Sequence, residues 1–310
     1  MPALNEAETI YKVIKSIPSE FDGFDIVEIL VVNDGSTDNT EEIAQSAGAF
    51  VINHNYNKGV GEAFQTAVMY ALKVKASILV SIDADGQFDV NQIKDFINPI
   101  LLSKADFCIG NRFVGKKPMH MPWIKFWGNK QVNKIVSWVS RTKINDASCG
   151  FRAYSKESLL NLNLHGSFTY THESILDLLD KGFKLEQVPV NVKYFEGRVS
   201  RVANDILSYA GKISIIIFKC LKDYKPLQFF LLIASIIFFV GIVLGGFTLI
   251  HWIIKDTISP YKSFGIIGLS LIGMSVMLAI FAFMADSMGR MRRNQEKIIY
   301  LLKKQQYDKN

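Results

Sequence analysis

The sequence predicts an α/β domain with a mostly parallel sheet flanked by helices, followed by two helices that cross a bilayer. Three observations predict it. Up to about residue 200, short apolar runs that end in polar or acidic turns alternate with helical stretches, the pattern of parallel βαβ units. In the last third, residues 227–254 and 264–285 form two apolar spans without Asp, Glu, Lys or Arg. Between them in importance stands the run Ser-Ile-Asp-Ala-Asp-Gly-Gln-Phe-Asp, residues 81–89, which sets acids at alternate positions after an apolar run.

Taken in order, Asn5–Ile17 reads as a helix, with Glu6 and Glu8 in a first turn that suits the helix dipole. Ile26–Val32 reads as a buried strand. Asp38 is placed to cap the next helix, with Glu41 and Glu42 in its first turn. Phe50–Asn53 is a short strand, Lys58–Val74 a helix after a glycine turn, and Ser77–Ile82 the strand that feeds the acidic run. Asp89–Ser103 is a helix and Asp106–Gly110 another strand. In parallel sheets ligands bind beyond the carboxyl ends of strands. Asp34, Asp83, Asp85 and Arg112 all fall at such ends.

Trp123–Arg141 is predicted to be amphipathic. Val132, Ile135, Val136 and Val139 fall at helical spacing, with Lys125, Lys130, Lys134 and Arg141 interleaved. Asn204–Lys222 repeats the pattern with Ile213, Ile216, Ile217 and Cys220. Basic amphipathic helices with Trp and Phe suit a membrane interface; ordinary packing against the sheet is the competing reading. A bilayer-crossing helix needs roughly 20 apolar residues, and both spans meet that length. Arg198, Arg201, Lys212, Lys219, Lys222 and Lys225 precede the first span, and Arg290, Arg292, Arg293 and Lys297 follow the second. The bias of Lys and Arg sets orientation, so an integral membrane protein with two spans, a cytoplasmic catalytic domain and both termini cytoplasmic is expected. The expected divisions are a domain at 1–203, a juxtamembrane helix at 204–225, a hairpin at 226–286 and a charged helical tail at 287–310. The tail either extends the second span or pairs with another subunit. Gly241, Gly245, Gly246, Gly268 and Gly273 allow close helix packing and hence a homo-oligomer through the spans.

The formal charge of +6 reads as membrane-side basicity, and no nucleic-acid-binding signature accompanies it. The opening MPALNEAETI lacks the basic start and apolar core of a signal peptide. Cys108, Cys149 and Cys220 are few and far apart, which fits a reducing compartment. The five His residues form no zinc pattern.

Asp83, Asp85 and Gln87 supply closely spaced oxygen ligands for a hard divalent cation that also binds phosphate; a solvated polar turn is the plainer alternative. The guanidinium groups of Arg112, Arg152, Arg198 and Arg201 suit bidentate phosphate contacts, against surface ion pairs. Gly59-Val60-Gly61 lacks the third glycine of a dinucleotide fingerprint.

The ordered set resembles the family-2 glycosyltransferases, in the branch of dolichyl-phosphate mannose synthase and related polyprenyl-phosphate glycosyltransferases. It consists of Pro2-Ala3-Leu4-Asn5-Glu6, Val31-Val32-Asn33-Asp34-Gly35-Ser36-Thr37-Asp38, Asn57 with Gly59, Gly61 and Ala63, and Asp83-Ala84-Asp85-Gly86-Gln87. It continues with Gly110-Asn111-Arg112, Asp146 with Gly150-Phe151-Arg152, and Arg198 with Ser200-Arg201. The resemblance covers about residues 1–205. It implies a GT-A, Rossmann-like fold and transfer of a sugar from a nucleotide-sugar of the GDP-mannose or UDP-hexose type to a dolichyl or undecaprenyl phosphate. Pro2, Leu4, Glu6, Asp34, Asp83 and Ala84 would bind the nucleotide-sugar. Asp83, Asp85 and Gln87 would hold Mg²⁺ or Mn²⁺. Asp85, Arg112, Arg152 and Glu173 would be catalytic, with Glu173 orienting the sugar. Arg112, Arg152, Arg198, Ser200 and Arg201 would bind the acceptor phosphate or donor diphosphate. Asp146 would fix the Gly150-Phe151-Arg152 loop.

Two departures stand out. The family has an apolar strand ahead of its P-x-x-N-E motif, whereas here Met1 directly precedes Pro2. The first strand is therefore expected to be missing, with the true start upstream. Arg201 stands where the family often has Lys. A processive polysaccharide synthase usually carries a Q-x-x-R-W motif and more spans, and neither is present. A catalytically inactive nucleotide-sugar-binding or assembly subunit is the other alternative. A transporter would need intramembrane charge.

Overall fold

The computed structural model describes residues 1–114, 121, 123–164, 170–193 and 224–308, with 215, 218 and 222 as single positions. The chain forms two compact units. Met1–Ile215 with Ile299–Asn310 make one, and Ile216–Ile298 the other.

Among the described residues the first unit holds seven strands in two sheets. β1 (Pro2–Ala3), β2 (Leu30–Asn33) and β3 (Phe50–Asn53) form a parallel sheet in the order β1-β2-β3. β4 (Ile78–Ser81), β5 (Phe107–Asn111), β6 (Arg152–Ser155) and β7 (Leu185–Pro189) form the second, in the order β4-β6-β5-β7. There β6 runs antiparallel to both neighbours, while β5 and β7 are parallel. The expectation of a missing first strand is corrected in part. Two residues do pair with β2, Met1 adds its own carbonyl to Val32 N at 2.9 Å, and its amine donates to Leu30 O at 2.6 Å.

The brevity of β1 reshapes its neighbour. The apolar run predicts a strand over Ile26–Val32, but β2 begins only at Leu30. Residues 26–28 face neither a longer β1 nor β3, whose Phe50 N donates to Ile29 O at 2.8 Å, and Ile26 is 83% exposed. A backbone without a ladder partner has no reason to stay extended. Between β2 and β4 lies a mainly apolar cavity of about 580 Å³, lined among others by Met1, Ile26, Leu30, Phe64, Leu79 and Val80.

α1 (Ile10–Ser16) is shorter than the predicted Asn5–Ile17. Asn5 has a left-handed φ of 54°, which a right-handed helix cannot accommodate, so Glu6 and Glu8 precede the helix rather than cap it. α2 (Thr40–Ser46) starts after Asn39, but Asp38 Oδ1 does accept from Thr40 N at 3.1 Å. α3 (Val60–Lys73) buries Ala63, Phe64, Ala67, Val68, Ala71 and Leu72, a stripe at helical spacing. α4 (Ile93–Leu101) follows a short 3₁₀ turn and buries Ile93, Phe96 and Ile97. α6 (Lys156–Asn161) and α7 (Thr171–Asp180) follow β6. The core runs from α1 through Val31 and Phe96 to Phe151 and Cys149.

α5 (Trp123–Ser140) divides its faces differently from the expectation. Val132, Val136 and Val139 are buried against the domain, so the aliphatic stripe is a packing face. Trp123, Trp127, Lys130, Lys134 and Trp138 are exposed on another side.

In the second unit, α8 (Pro226–Lys255) and α9 (Lys262–Asp308) are long and apolar enough to cross a membrane. Leu232, Phe239, Ile253, Leu269 and Phe283 are each more than 60% exposed, the reverse of a soluble core. The two helices pack closely. A Cβ on Gly268 would stand 2.6 Å from Gly245 N and 2.9 Å from Gly241 O. Three of the glycines expected to serve oligomerisation thus serve the hairpin itself. The predicted juxtamembrane helix at 204–225 lies almost wholly outside the described residues.

Candidate functional site

The site forms where strands end. Beyond β4 the chain turns sharply: Thr9 Oγ1 donates to Ala84 O at 2.9 Å, and Gln87 N donates to Asp85 Oδ1 at 3.0 Å. The turn is therefore clamped from α1 and from within. Asp83 sits against the loop after α5, where a Cβ on Gly150 would lie 2.8 Å from both its carboxylate oxygens. Only glycine fits there. Burial pushes the Asp83 pKa up to about 6, and the neighbouring Asp85 adds to this. Arg112 and the Met1 ammonium oppose the rise, while Glu6 raises it further. Five charged groups thus share one field. The Met1 amine is itself pushed down to about 5 by burial, against the pull of Asp83.

Arg112, one residue past β5, is held in a fork. Its Nε donates to Asp146 Oδ2 at 2.7 Å and its Nη2 to Asp146 Oδ1 at 2.8 Å and Ser148 Oγ at 2.8 Å. Asp146 is fully buried. The expectation that Asp146 fixes the glycine loop is thereby sharpened: it aims Arg112. Asn133 of α5 ties this loop from behind, accepting from Ala147 N at 2.9 Å and donating to Asn145 O at 2.5 Å.

Arg152 is a correction. It was expected to touch phosphate, but it is 0% exposed. Its guanidinium donates to Cys149 O at 2.7 Å, Ala147 O at 2.8 Å, Thr171 O at 2.7 Å and Ser174 Oγ at 2.9 Å. Four of the five donors of an arginine are spent inside the protein, so Arg152 positions the loop under Asp83. Asp34 has a structural task of its own. It is 4% exposed and accepts from His54 Nδ1 at 2.7 Å, Lys58 N at 2.9 Å and Gly59 N at 2.8 Å. Its carboxylate is committed to the 57–59 loop. His54 Nε2 meets Thr66 Oγ1 at 3.0 Å, which completes the tie.

Glu6 is half-buried and accepts from Thr9 Oγ1 at 3.2 Å. Pro2 lies in β1 and Leu4 just beyond it. Glu173 is half-buried in the first turn of α7, beside a buried His172 whose pKa burial pushes down to about 4, helped by Arg152. Burial pushes the Cys149 thiol up to about 12, so it is an inert filler. Arg198, Ser200 and Arg201 lie outside the described residues. The structure thus gathers Glu6, Asp83, Asp85 and Arg112 in one field and ties Asp34 and Arg152 into their own loops. Sequence reasoning missed Asn133, His54 and Tyr170, whose hydroxyl meets Ser81 Oγ at 3.1 Å and donates to Gly150 O at 3.3 Å. Asn133 alone left a signal, as a polar residue beside an apolar stripe.

Among the described residues no group of three His, Cys, Asp or Glu is arranged for a metal. What the described residues offer is two carboxylates, Asp83 and Asp85, the first pushed toward protonation by burial and then by its neighbour. That donor set fits Mg²⁺ or Mn²⁺, which take one or two carboxylates and complete their shell with phosphate and water.

Residues 1–162 match the model of Glycosyl transferase family 2. The chain belongs to this family. Among its relatives, glycosyltransferase AglJ of Haloferax volcanii is 28% identical over 96% of this chain and 95% of its own length. The UDP-N-acetylglucosamine–dolichyl-phosphate N-acetylglucosaminyltransferase of Methanococcus voltae is 29% identical over 67% of this chain and 90% of its own. Glucosyl-3-phosphoglycerate synthase of Mycobacterium tuberculosis, solved with Mn²⁺, UDP and its product, superposes with a TM-score of 0.54 at 22% identity, covering 71% of this chain and 76% of that one. The fold is thus GT-A, mostly parallel, with the two apolar helices appended.

Proposed function

We propose that this family-2 enzyme is a membrane-anchored, inverting, metal-dependent glycosyltransferase. It moves a sugar from a nucleotide-sugar to a polyprenyl monophosphate and yields a lipid-linked sugar. The observation that carries the reading is the desolvated Asp83, coupled to Asp85 beyond the end of β4 and sharing its field with the fixed cation of Arg112. Such a field suits a diphosphate that arrives with a divalent cation. The name of the Methanococcus relative supports the acceptor class, as do the two apolar helices and the exposed Trp and Lys face of α5.

In this reading Asp83 and Asp85, with the Gln87 carboxamide as a third oxygen, would hold Mg²⁺ or Mn²⁺, which when bound would supply positive charge for the diphosphate. Pro2, Leu4, Glu6 and Ala84, with the 57–59 loop that Asp34 fixes, line the nucleoside end. Arg112, aimed by Asp146, binds phosphate. Arg198, Ser200 and Arg201 take the acceptor phosphate, and Glu173 orients the sugar. A lipid phosphate oxygen attacks the anomeric carbon as the bond to the diphosphate breaks, and the electron pair leaves with the nucleoside diphosphate. That oxygen is already ionised near neutral pH, so no strong base is required. Catalysis rests on positioning and electrostatics. In this reading the catalytic unit and both termini lie in the cytoplasm, which the Lys and Arg bias supports.

The test is turnover by purified protein in detergent with Mn²⁺, polyprenyl phosphate and labelled UDP- and GDP-sugars, with Asp85→Ala alongside. Metal-dependent label in the lipid phase, absent from the variant, is the expected result and names the sugar. Donor binding without label from any sugar would instead support an inactive binding subunit.

A further inference from the structure

α9 outlasts any bilayer. Its 47 residues span roughly 70 Å at the helical rise, against a hydrocarbon core of about 30 Å. From Ile299 onward it groups with the catalytic unit. The chain therefore leaves that unit, makes the hairpin and comes back into it.

Three side-chain contacts secure the return. Tyr300 OH donates to Glu157 Oε1 of α6 at 2.9 Å. Lys303 Nζ donates to Leu162 O at 2.8 Å and to Asn163 Oδ1 at 3.1 Å. These last acceptors lie at the C-terminal end of α6, where unpaired carbonyls and the helix dipole favour a cation. From the other side Lys181 Nζ, at the C-cap of α7, donates to Asn161 O at 2.6 Å and pairs with Asp177 at 2.8 Å. Asp177 Oδ2 in turn accepts from Asn163 N at 3.0 Å. Two lysines, one capping α7 and one from the tail, thus close the same helix end. α7 is the helix that supplies Thr171 O and Ser174 Oγ to the Arg152 guanidinium.

We propose that the last turns of α9 are an intramolecular brace that docks on the end of α6 and fixes the α6–α7 connection, with Lys303 as its positioning residue. The brace holds α7, and through it the Arg152 ties of the loop beneath Asp83. It does not depend on which sugar or acceptor the enzyme uses. Ile298, Leu301 and Leu302 are exposed on the tail, so pairing with a second copy is the alternative that the experiment must separate.

Full-length protein in nanodiscs, carrying Glu157→Cys, Tyr300→Cys and Cys220→Ser, is treated with a short bis-maleimide. The expected product is a cross-link within one chain, seen by mass spectrometry at monomer mass. Cross-linked dimers, or no link, overturn the proposal. Hydrogen exchange on Lys303→Met and Lys303→Arg supplies the second readout. Exchange is expected to quicken about tenfold in Lys156–Asn161 and Thr171–Asp180 of the Met variant, to be restored by Arg, and to stay unchanged in Phe50–Asn53. A uniform rise across all elements, or no change anywhere, overturns the positioning role.

Discussion

The two halves of the catalytic sheet make an instructive pair. The β4–β7 half is closed: every strand has a partner over its full length, and a buried arginine stitches its central loop to α7. The β1–β3 half is open: β1 has two residues, β2 loses its first four predicted residues, and an apolar cavity stands where a neighbour would lie. The open half is not short of apolar residues: β2 reads Leu-Val-Val-Asn and β3 Phe-Val-Ile-Asn. What separates them is the supply of ladder partners. Apolar character creates the wish to be buried, but backbone hydrogen bonds set where a strand starts and stops.

The comparison breaks most easily at Arg152. Arg152→Met keeps the bulk but strands the buried Ala147 and Cys149 carbonyls, so the catalytic unit should lose about 2 kcal/mol or more, on the order of 1–3 kcal/mol per orphaned group. Thermal or denaturant unfolding in detergent measures this, and wild-type stability would disprove the stitching role. Next comes the open half. Fusing five apolar, β-branched residues ahead of Met1 should fill the cavity, extend β2 back toward Ile26 and stabilise the unit by a few kcal/mol. A Gly/Ser extension of equal length should do nothing, and equal behaviour of the two would show that the cavity is no strand slot.

The smallest effect is expected from His172, on the closed half. Its pKa falls from 6.5 to about 4 on folding, so the unfolded chain binds the proton more readily. The neutral ring therefore stabilises the fold fully above pH 6.5, and that stability is lost as pH falls from 6.5 toward 4, on the order of 2–3 kcal/mol in all. His172→Gln should flatten this acid limb. An unchanged limb would assign the acid sensitivity to other groups.

Some of the site was legible because it is local. The Asp83–Asp85 turn, the glycine at 150 and the strand-end position of Arg112 follow from a few adjacent residues each. Arg152 was misread because sequence shows an arginine's charge but not what surrounds it; only the convergence of Ala147, Cys149, Thr171 and Ser174 turns it inward. The loop-fixing task of Asp34 was invisible for the same reason, since its partners His54, Lys58 and Gly59 come from 20 to 25 residues away. On α5 the periodicity of Val132, Val136 and Val139 predicted a helix correctly but could not say which face met the domain.

The sequence by itself determined the α/β class, the family and the two long apolar helices, because periodicity, motif order and apolar length are properties of neighbouring residues. Tertiary structure alone decided where β2 begins, which arginine points inward, which glycines pack the hairpin and where the tail of α9 goes. Those outcomes depend on distant groups competing for the same hydrogen bonds and the same buried space, and no window of adjacent residues contains both competitors.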